Sequence, residues 1–404
     1  MLWIILIFSL FTRLWNLSYP PNFYFDEVYN AFTTLEMAKG NKDAYEWFHT
    51  TPPGTAYGWT HPPLAKLMGA TGILIFGPNS FGWRIVNVLI GTGVIYLVYL
   101  ISKDLLRTER WALFSVGLAS LDGLILTQSR INMNDIVALF FILLSFLAFI
   151  KYQLKPRTLG EAGKFNLIPL AFSLGLLIAT KWTGLYALAV FGAWIGLQNI
   201  TRFRKWPSIF ISLIIIPGVI YVLSYSQYFI LGGSWKNFLE LQNQMWWYNT
   251  TLKATHTYQS SWWTWPIMFR PVWYFVDYAS NTIANIYGMG NPILWWLGIP
   301  AILYTLYSAF KTRSWRLWII ITGFLAFWLP WARAPRIMFL YHYLPSIPFL
   351  CIALSYTLSK LPKWVTLGSS ILVLGSFIYF YPIWVGTHLP KIWVNQYFWL
   401  SSWR

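Results

Sequence analysis

Acid is scarce in this chain. It holds 12 Asp and Glu among 404 residues, against 29 Lys and Arg. Charged residues of all kinds make up 10%, where a soluble domain carries about 25%. That shortage excludes an ordinary water-facing globular surface. Cysteine occurs once, as Cys351 in an apolar run, which excludes disulfides within the chain and leaves the redox compartment open. Several catalytic signatures are also missing. There is no G-x-x-x-x-G-K-S/T loop, no G-x-G-x-x-G after a strand, no H-E-x-x-H and no G-x-S-x-G. Neither internal repeats nor low-complexity tracts are present, which counts against an inverted-repeat transporter. The first apolar stretch has no basic leader region and no small-residue cleavage site, so it reads as a retained first helix.

What the chain does have is apolar length. Hydrophobic residues make up 57% of it, and runs of about 17–25 of them recur from end to end, as spanning helices require. Eleven spans are expected, at 2–18, 80–102, 111–129, 134–151, 166–181, 183–199, 207–226, 291–310, 315–331, 338–358 and 364–384. The fold class is therefore an all-α polytopic membrane protein. The net charge of +17 does not mark a nucleic-acid surface, because the basic residues fall in short clusters between spans. Alternate loops, at 102–110, 151–164, 201–206, 311–316 and 359–363, hold 15 of the 29 Lys and Arg and three acids. The positive-inside rule places these loops, and the N-terminus, in the cytoplasm, and the C-terminus outside.

Two outer loops are long. The first, 19–79, predicts a helix from Asp26 to Lys39, with Val28, Ala31, Phe32, Leu35 and Ala38 at helical spacing and Gly40 as C-cap. Its apolar stretch at 60–77 is short for a span and suits the interface or a re-entrant turn. The second, 227–290, is dense in Trp and Tyr. Such density suits a membrane-interface belt and also stacking on a sugar face.

Against that background, "FYFDEVYNAF" at 23–32 places Asp26 and Glu27 together in the first outer loop. At a helix start they can serve as N-cap and first-turn acid. They can equally serve chemistry, one as general base and the other in support, and the reading favoured here makes Asp26 the base. The same side of the membrane is expected to carry Arg13, Arg84, Arg130, Lys181, Arg333 and Arg336, with Asp135 in "SRINMND". Basic groups at that depth either snorkel to headgroups or grip a lipid phosphate. Arg84, Arg130, Lys181 and Arg336 are the candidates for phosphate. Arg130 and Asn134 would share a helix face, whereas Asp135 is free to pair with another cation or to cap the next helix. His61 precedes two prolines that fix an extended turn. A divalent metal there, with His49 or Glu46, matches no standard ligand spacing, so no metal ligand and no certain cofactor is assigned. His342 and Tyr343 open a late span and suit sugar or phosphate, and His256 lies in the aromatic loop.

Six strings occur in order: the DE pair, "HPPLAKL" (61–67), "SR" with a later Asp (129–135), "TKWTGLY" (180–186), "KATHTYQSSWWTWPIMFRPVWYF" (253–275) and "MFLYHYLPSIPFL" (338–350). Together they resemble the protein O-mannosyltransferases, integral membrane enzymes of the GT-C superfamily, over most of the chain. The resemblance implies a single GT-C membrane domain over 1–404. It implies inverting transfer of mannose from a polyprenyl-phosphate mannose lipid to Ser or Thr of a secretory or membrane protein, outside the cytoplasm. The family's acidic pair matches Asp26 and Glu27, and its first- and second-span arginines match Arg13 and Arg84. Eukaryotic members carry a MIR domain in the late outer loop. Here 227–290 is too short for one, as in the compact prokaryotic type. They also often place an acid two residues before the His-Pro-Pro, where this chain has Trp59. Rival readings are a GT-C transferase that moves another lipid-linked sugar to a lipid or glycan, and a polyprenyl-lipid transporter.

Overall fold

The structure is a computed structural model and describes residues 1–154, 167–251 and 253–404. Most of the expected basic loop 151–164, and the first residue of the expected span 166–181, lie outside the described residues. Helices are α1 (Leu2–Leu14), α2 (Asn30–Ala38), α3 (Leu64–Phe76), α4 (Ser80–Leu106), α5 (Glu109–Ser120), α6 (Gly123–Ser129), α7 (Asn134–Leu154), α8 (Ile168–Ile178) and α9 (Gly184–Gln198). They continue with α10 (Trp206–Phe210), α11 (Ile216–Leu223), α12 (Ser226–Ile230), α13 (Trp235–Thr251), α14 (Pro292–Thr312), α15 (Trp315–Leu325), α16 (Ile347–Leu358) and α17 (Lys363–Val385). Helix occupies each of the eleven expected stretches. Among the described residues six helices are by themselves long and apolar enough to cross a membrane, or seven if the bent pair α5–α6 counts as one. Others, such as α1, α8 and α9, are shorter.

Local chemistry sets the breaks. The Asn79 side chain accepts from Gly82 N at 3.0 Å and starts α4, which runs 27 residues. Between α5 and α6 the chain bends by 64°. There the fully buried Asp122 accepts from Ile125 N at 2.8 Å, capping α6, and from Trp295 Nε1 at 2.7 Å. α1, α4 and α6 pack closely: a Cβ at Gly91 would overlap the Ser129 side chain. That approach lets Arg13 Nε donate to Ser129 Oγ at 3.2 Å.

The all-α expectation needs one correction. Strands β1 (Val272–Tyr278), β2 (Thr282–Gly288) and β3 (His388–Pro390) form an antiparallel sheet in the order β1-β2-β3. The first two come from the aromatic loop 227–290, whose Trp and Tyr density suits an interface belt or sugar stacking and does not by itself signal strands. Their other face packs into the core, with Val272, Ala284 and Ile286 buried. Tyr19 donates to Asp277 Oδ2 at 2.5 Å, tying the loop 19–79 to this sheet.

The helix expected over Asp26–Lys39 is in two pieces. A 3-10 turn covers Phe25–Val28, Tyr29 breaks it, and α2 follows. Gly40 lies just beyond the C-cap Lys39, at φ +73°, a left-handed conformation that suits glycine.

Candidate active site

The 3-10 turn separates the two acids. With three residues per turn, neighbouring side chains point about 120° apart. Glu27 turns inward and is fully buried. It accepts from Arg84 Nε and Nη2, both at 2.8 Å, and from Asn132 N at 3.0 Å. Arg84 also donates to the carbonyls of Leu17 at 3.0 Å, Pro20 at 2.8 Å and Asn22 at 3.2 Å. A guanidinium has five N–H donors, and all five are engaged. The expectation that Arg84 binds the donor phosphate is therefore corrected. Arg84 is a buried clamp that fixes the acidic turn, and Glu27 is its counter-ion.

Asp26 faces the other way. Among the described residues its carboxylate has no hydrogen bond and no ion pair. Burial, and then the nearby Asp135 charge, push its pKa up to about 7, against the pull of Lys181 and Arg336. It is not the N-cap of a helix, since no side-chain cap is formed at this turn. The residue before it, Phe25, sits at φ +49°, a strained backbone for a bulky side chain. Stacking of Phe25 on Tyr274, with centroids 4.3 Å apart, holds that conformation.

Around Asp26 lie Asp135, Lys181, Arg336, His61 and His342, joined through mutual electrostatics. Asp135, on the first turn of α7, pairs with Lys181 Nζ at 2.7 Å, both side chains nearly buried. An ammonium has three donors, so two remain for a ligand. Asp135 and Lys181, with Trp331 and His342, line a small cavity. Arg336 donates through Nη1 to Asn249 Oδ1 at 2.5 Å, while its buried Nε has no partner. Its guanidinium thus keeps unused donors, and its charge acts on Asp26. His61 is held by its backbone, since Lys66 Nζ donates to its carbonyl at 3.2 Å. Burial, with Lys181, Lys66 and Arg336 nearby, depresses the His61 pKa well below the ordinary range, which leaves the ring neutral.

Four other expected site residues fall elsewhere. Arg130 donates through Nη1 to the carbonyls of Arg13 at 2.6 Å and Trp15 at 2.5 Å, and through Nη2 to Asn16 at 3.1 Å. It closes the C-terminus of α1, whose last carbonyls need donors, and is buried. Arg13 is fully buried, bonded to Ser9 and Ser129. Tyr343 is a core ring packed on Trp295, Phe324 and Trp328, with its hydroxyl unbonded, and not a sugar contact. His256 is exposed on the loop 227–290 against Phe339, at 5.3 Å. His342 stays beside the cluster, its ring 4.0 Å from Trp331. Arg333 is exposed. Sequence reasoning missed Asn249, which orients Arg336 and also reaches the Thr60 carbonyl at 3.4 Å. A lone polar residue in the aromatic run "MWWYNTT" was its one signal.

A family model described as dolichyl-phosphate-mannose-protein mannosyltransferase matches residues 3–231. A second, the C-terminal four-TMM region of protein-O-mannosyltransferase, matches 234–403. The chain belongs to the protein O-mannosyltransferase family. It is 28% identical to a polyprenol-phosphate-mannose–protein mannosyltransferase of Corynebacterium glutamicum, over 99% of this chain and 92% of that protein. The Mycobacterium tuberculosis enzyme of the same name is 26% identical over 88% and 83%. Among solved structures, this protein O-mannosyltransferase family member resembles the Saccharomyces cerevisiae Pmt1-Pmt2 complex bound to the sugar donor. The TM-score is 0.81 at 16% identity, covering 100% of this chain and 92% of that one. ArnT of Cupriavidus metallidurans bound to undecaprenyl phosphate gives 0.64 at 17% identity, over 92% and 62%. These neighbours show a shared fold.

Proposed function

We propose that the protein is an inverting glycosyltransferase that moves mannose from a polyprenyl-phosphate mannose lipid to a Ser or Thr hydroxyl of a protein. Family membership supports the donor and acceptor classes. The observation that carries the chemistry is the unpaired Asp26 carboxylate, with a pKa near 7, facing cations that keep free donors. Asp26 takes the proton from the acceptor hydroxyl as that oxygen attacks the anomeric carbon of the mannose from the face opposite the phosphate. The bond between that carbon and the phosphate oxygen breaks, and the polyprenyl phosphate leaves with its negative charge. Arg336 and Lys181 hold that charge, the guanidinium able to present two parallel donors. His61, His342 and Asp135 complete the polar wall, and Asp135 keeps Lys181 in place.

The same reading makes the chain an eleven-span protein with a cytoplasmic N-terminus and an outer site. The loop 19–79 carries the base, and 227–290 folds over it at the lipid surface. The test uses purified protein, labelled polyprenyl-phosphate mannose and a Thr-rich peptide. Transfer to the peptide is expected, and Asp26→Asn should lower it by about 100- to 10,000-fold, the contribution of a general base, while donor binding persists. Transfer to a lipid acceptor and none to the peptide would overturn the acceptor assignment. Near-normal turnover in Asp26→Asn would overturn the base.

A further inference from the structure

We propose that the first outer loop carries a zinc-type divalent cation site made by Asp43, Glu46 and His49. It lies apart from the groups used for transfer and does not depend on the reading of the reaction. The three residues are spaced three apart, beginning in the 3-10 turn Lys42–Tyr45. Three residues per turn stack side chains at that spacing on one face, and the chain carries the third into line beyond the turn. One donor atom from each residue lies within 4.8 Å of the other two.

The donor set and its spacing fit a small cation. His49 Nε2 is 2.7 Å from Glu46 Oε2 and 3.4 Å from Asp43 Oδ1. Zinc binds such donors at about 2.0–2.2 Å in a tetrahedron, which sets neighbouring donors about 3.3 Å apart. The two distances from His49 bracket that value, and the third separation is no more than 4.8 Å, so side-chain rotations bring the three donors around the ion. One imidazole with two carboxylates suits zinc or another first-row cation, and is a poor match for calcium or magnesium, which prefer oxygen alone. Water completes the fourth position.

The surroundings prepare Glu46 for this role. Its side chain is 4% exposed. Tyr228 Oη donates to its Oε1 at 3.1 Å and Asn237 Nδ2 does so at 3.3 Å, which leaves Oε2 turned toward His49. Neutral donors of this kind orient a ligating carboxylate and do not cancel its charge. Among the described residues no Lys or Arg pairs with Glu46, and its one charged-type partner is His49. A divalent cation supplies a positive charge against the two carboxylates. Because Tyr228 and Asn237 belong to the second outer loop, the ion would also fasten the two outer loops together.

The full-length protein in detergent, stripped with EDTA and dialysed against zinc, tests this. About one zinc per chain should remain by mass spectrometry, with an X-ray absorption edge showing nitrogen and oxygen ligands and no sulfur, and the melting temperature should rise. His49→Ala and Asp43→Asn alter partly exposed side chains. Both should keep the wild-type circular dichroism and lose the zinc. Wild-type protein that holds no zinc above the buffer background overturns the site, and means a plain histidine–carboxylate hydrogen bond. Variants that retain the same zinc, or displacement of the zinc by equal calcium, overturn it as well.

Discussion

Replacing Glu27 with Gln separates the two acids most sharply. Glu27 and Arg84 are both fully buried, and their contact is bidentate at 2.8 Å on each arm. Glutamine keeps the shape and one acceptor oxygen, but turns an N–H2 group toward a guanidinium that can only donate. Removing one partner of a buried ion pair leaves the other charge uncompensated, at a cost of about 3–5 kcal/mol. The loss propagates, because Arg84 also ties the carbonyls of Leu17, Pro20 and Asn22, and Glu27 holds the Asn132 amide. The expected outcome is a clear drop in melting temperature in detergent. Transfer per folded molecule, measured well below that temperature, should stay within about tenfold of wild type, since no proton-transfer role of the 100- to 10,000-fold kind is lost. Glu27→Gln with an unchanged melting temperature and transfer as low as in Asp26→Asn would refute this reasoning and make Glu27 the chemical acid.

The remaining predictions concern charge around Asp26. The base works when ionised, so transfer measured as kcat/KM should fall as pH drops below about 7, where burial and Asp135 have set its pKa. The stability effect has the opposite sign. A carboxyl whose pKa is raised from 3.8 to about 7 favours the folded state at low pH, and that contribution is lost as pH rises between those values. Asp26→Asn should therefore melt no lower than wild type at pH 8, and a lower melting temperature there would contradict the burial argument. Asp135→Asn removes the like charge and frees Lys181, and both changes should move the acidic limb of the pH profile to lower pH. An unmoved limb would disconnect Asp135 from the base. Arg336→Gln should raise the KM for the lipid donor by more than it lowers the melting temperature would suggest, because the guanidinium is only half-buried and bonded once. Unchanged donor affinity would remove it from the phosphate site.

The sequence by itself determined the class of protein and the neighbourhood of its chemistry. Scarce charge and recurrent apolar runs leave no other solvent than lipid, so helices occupy each expected stretch. The short strings around Asp26, His61, Lys181 and His342 were enough to carry a family resemblance, since each is a run of residues adjacent in the chain. The aromatic pattern also hid one element: the consecutive Trp273, Tyr274 and Phe275 of β1 serve an interface belt equally well, and a sheet is decided by pairing across distance. Tertiary structure alone divided the two acids. Composition gives Asp26 and Glu27 equal standing, but a 3-10 turn points them apart, and five donors on Arg84 decide which carboxylate is consumed. For the same reason, the basic groups expected to hold phosphate divide: Arg13, Arg84 and Arg130 are buried and bonded to neighbouring backbone or side chains, whereas Lys181 and Arg336 face Asp26 electrostatically and keep donors open. A side chain's type gives its hydrogen-bonding capacity. How much of that capacity is left for a ligand depends on partners far away in the sequence, as the carbonyls at the end of α1 are for Arg130.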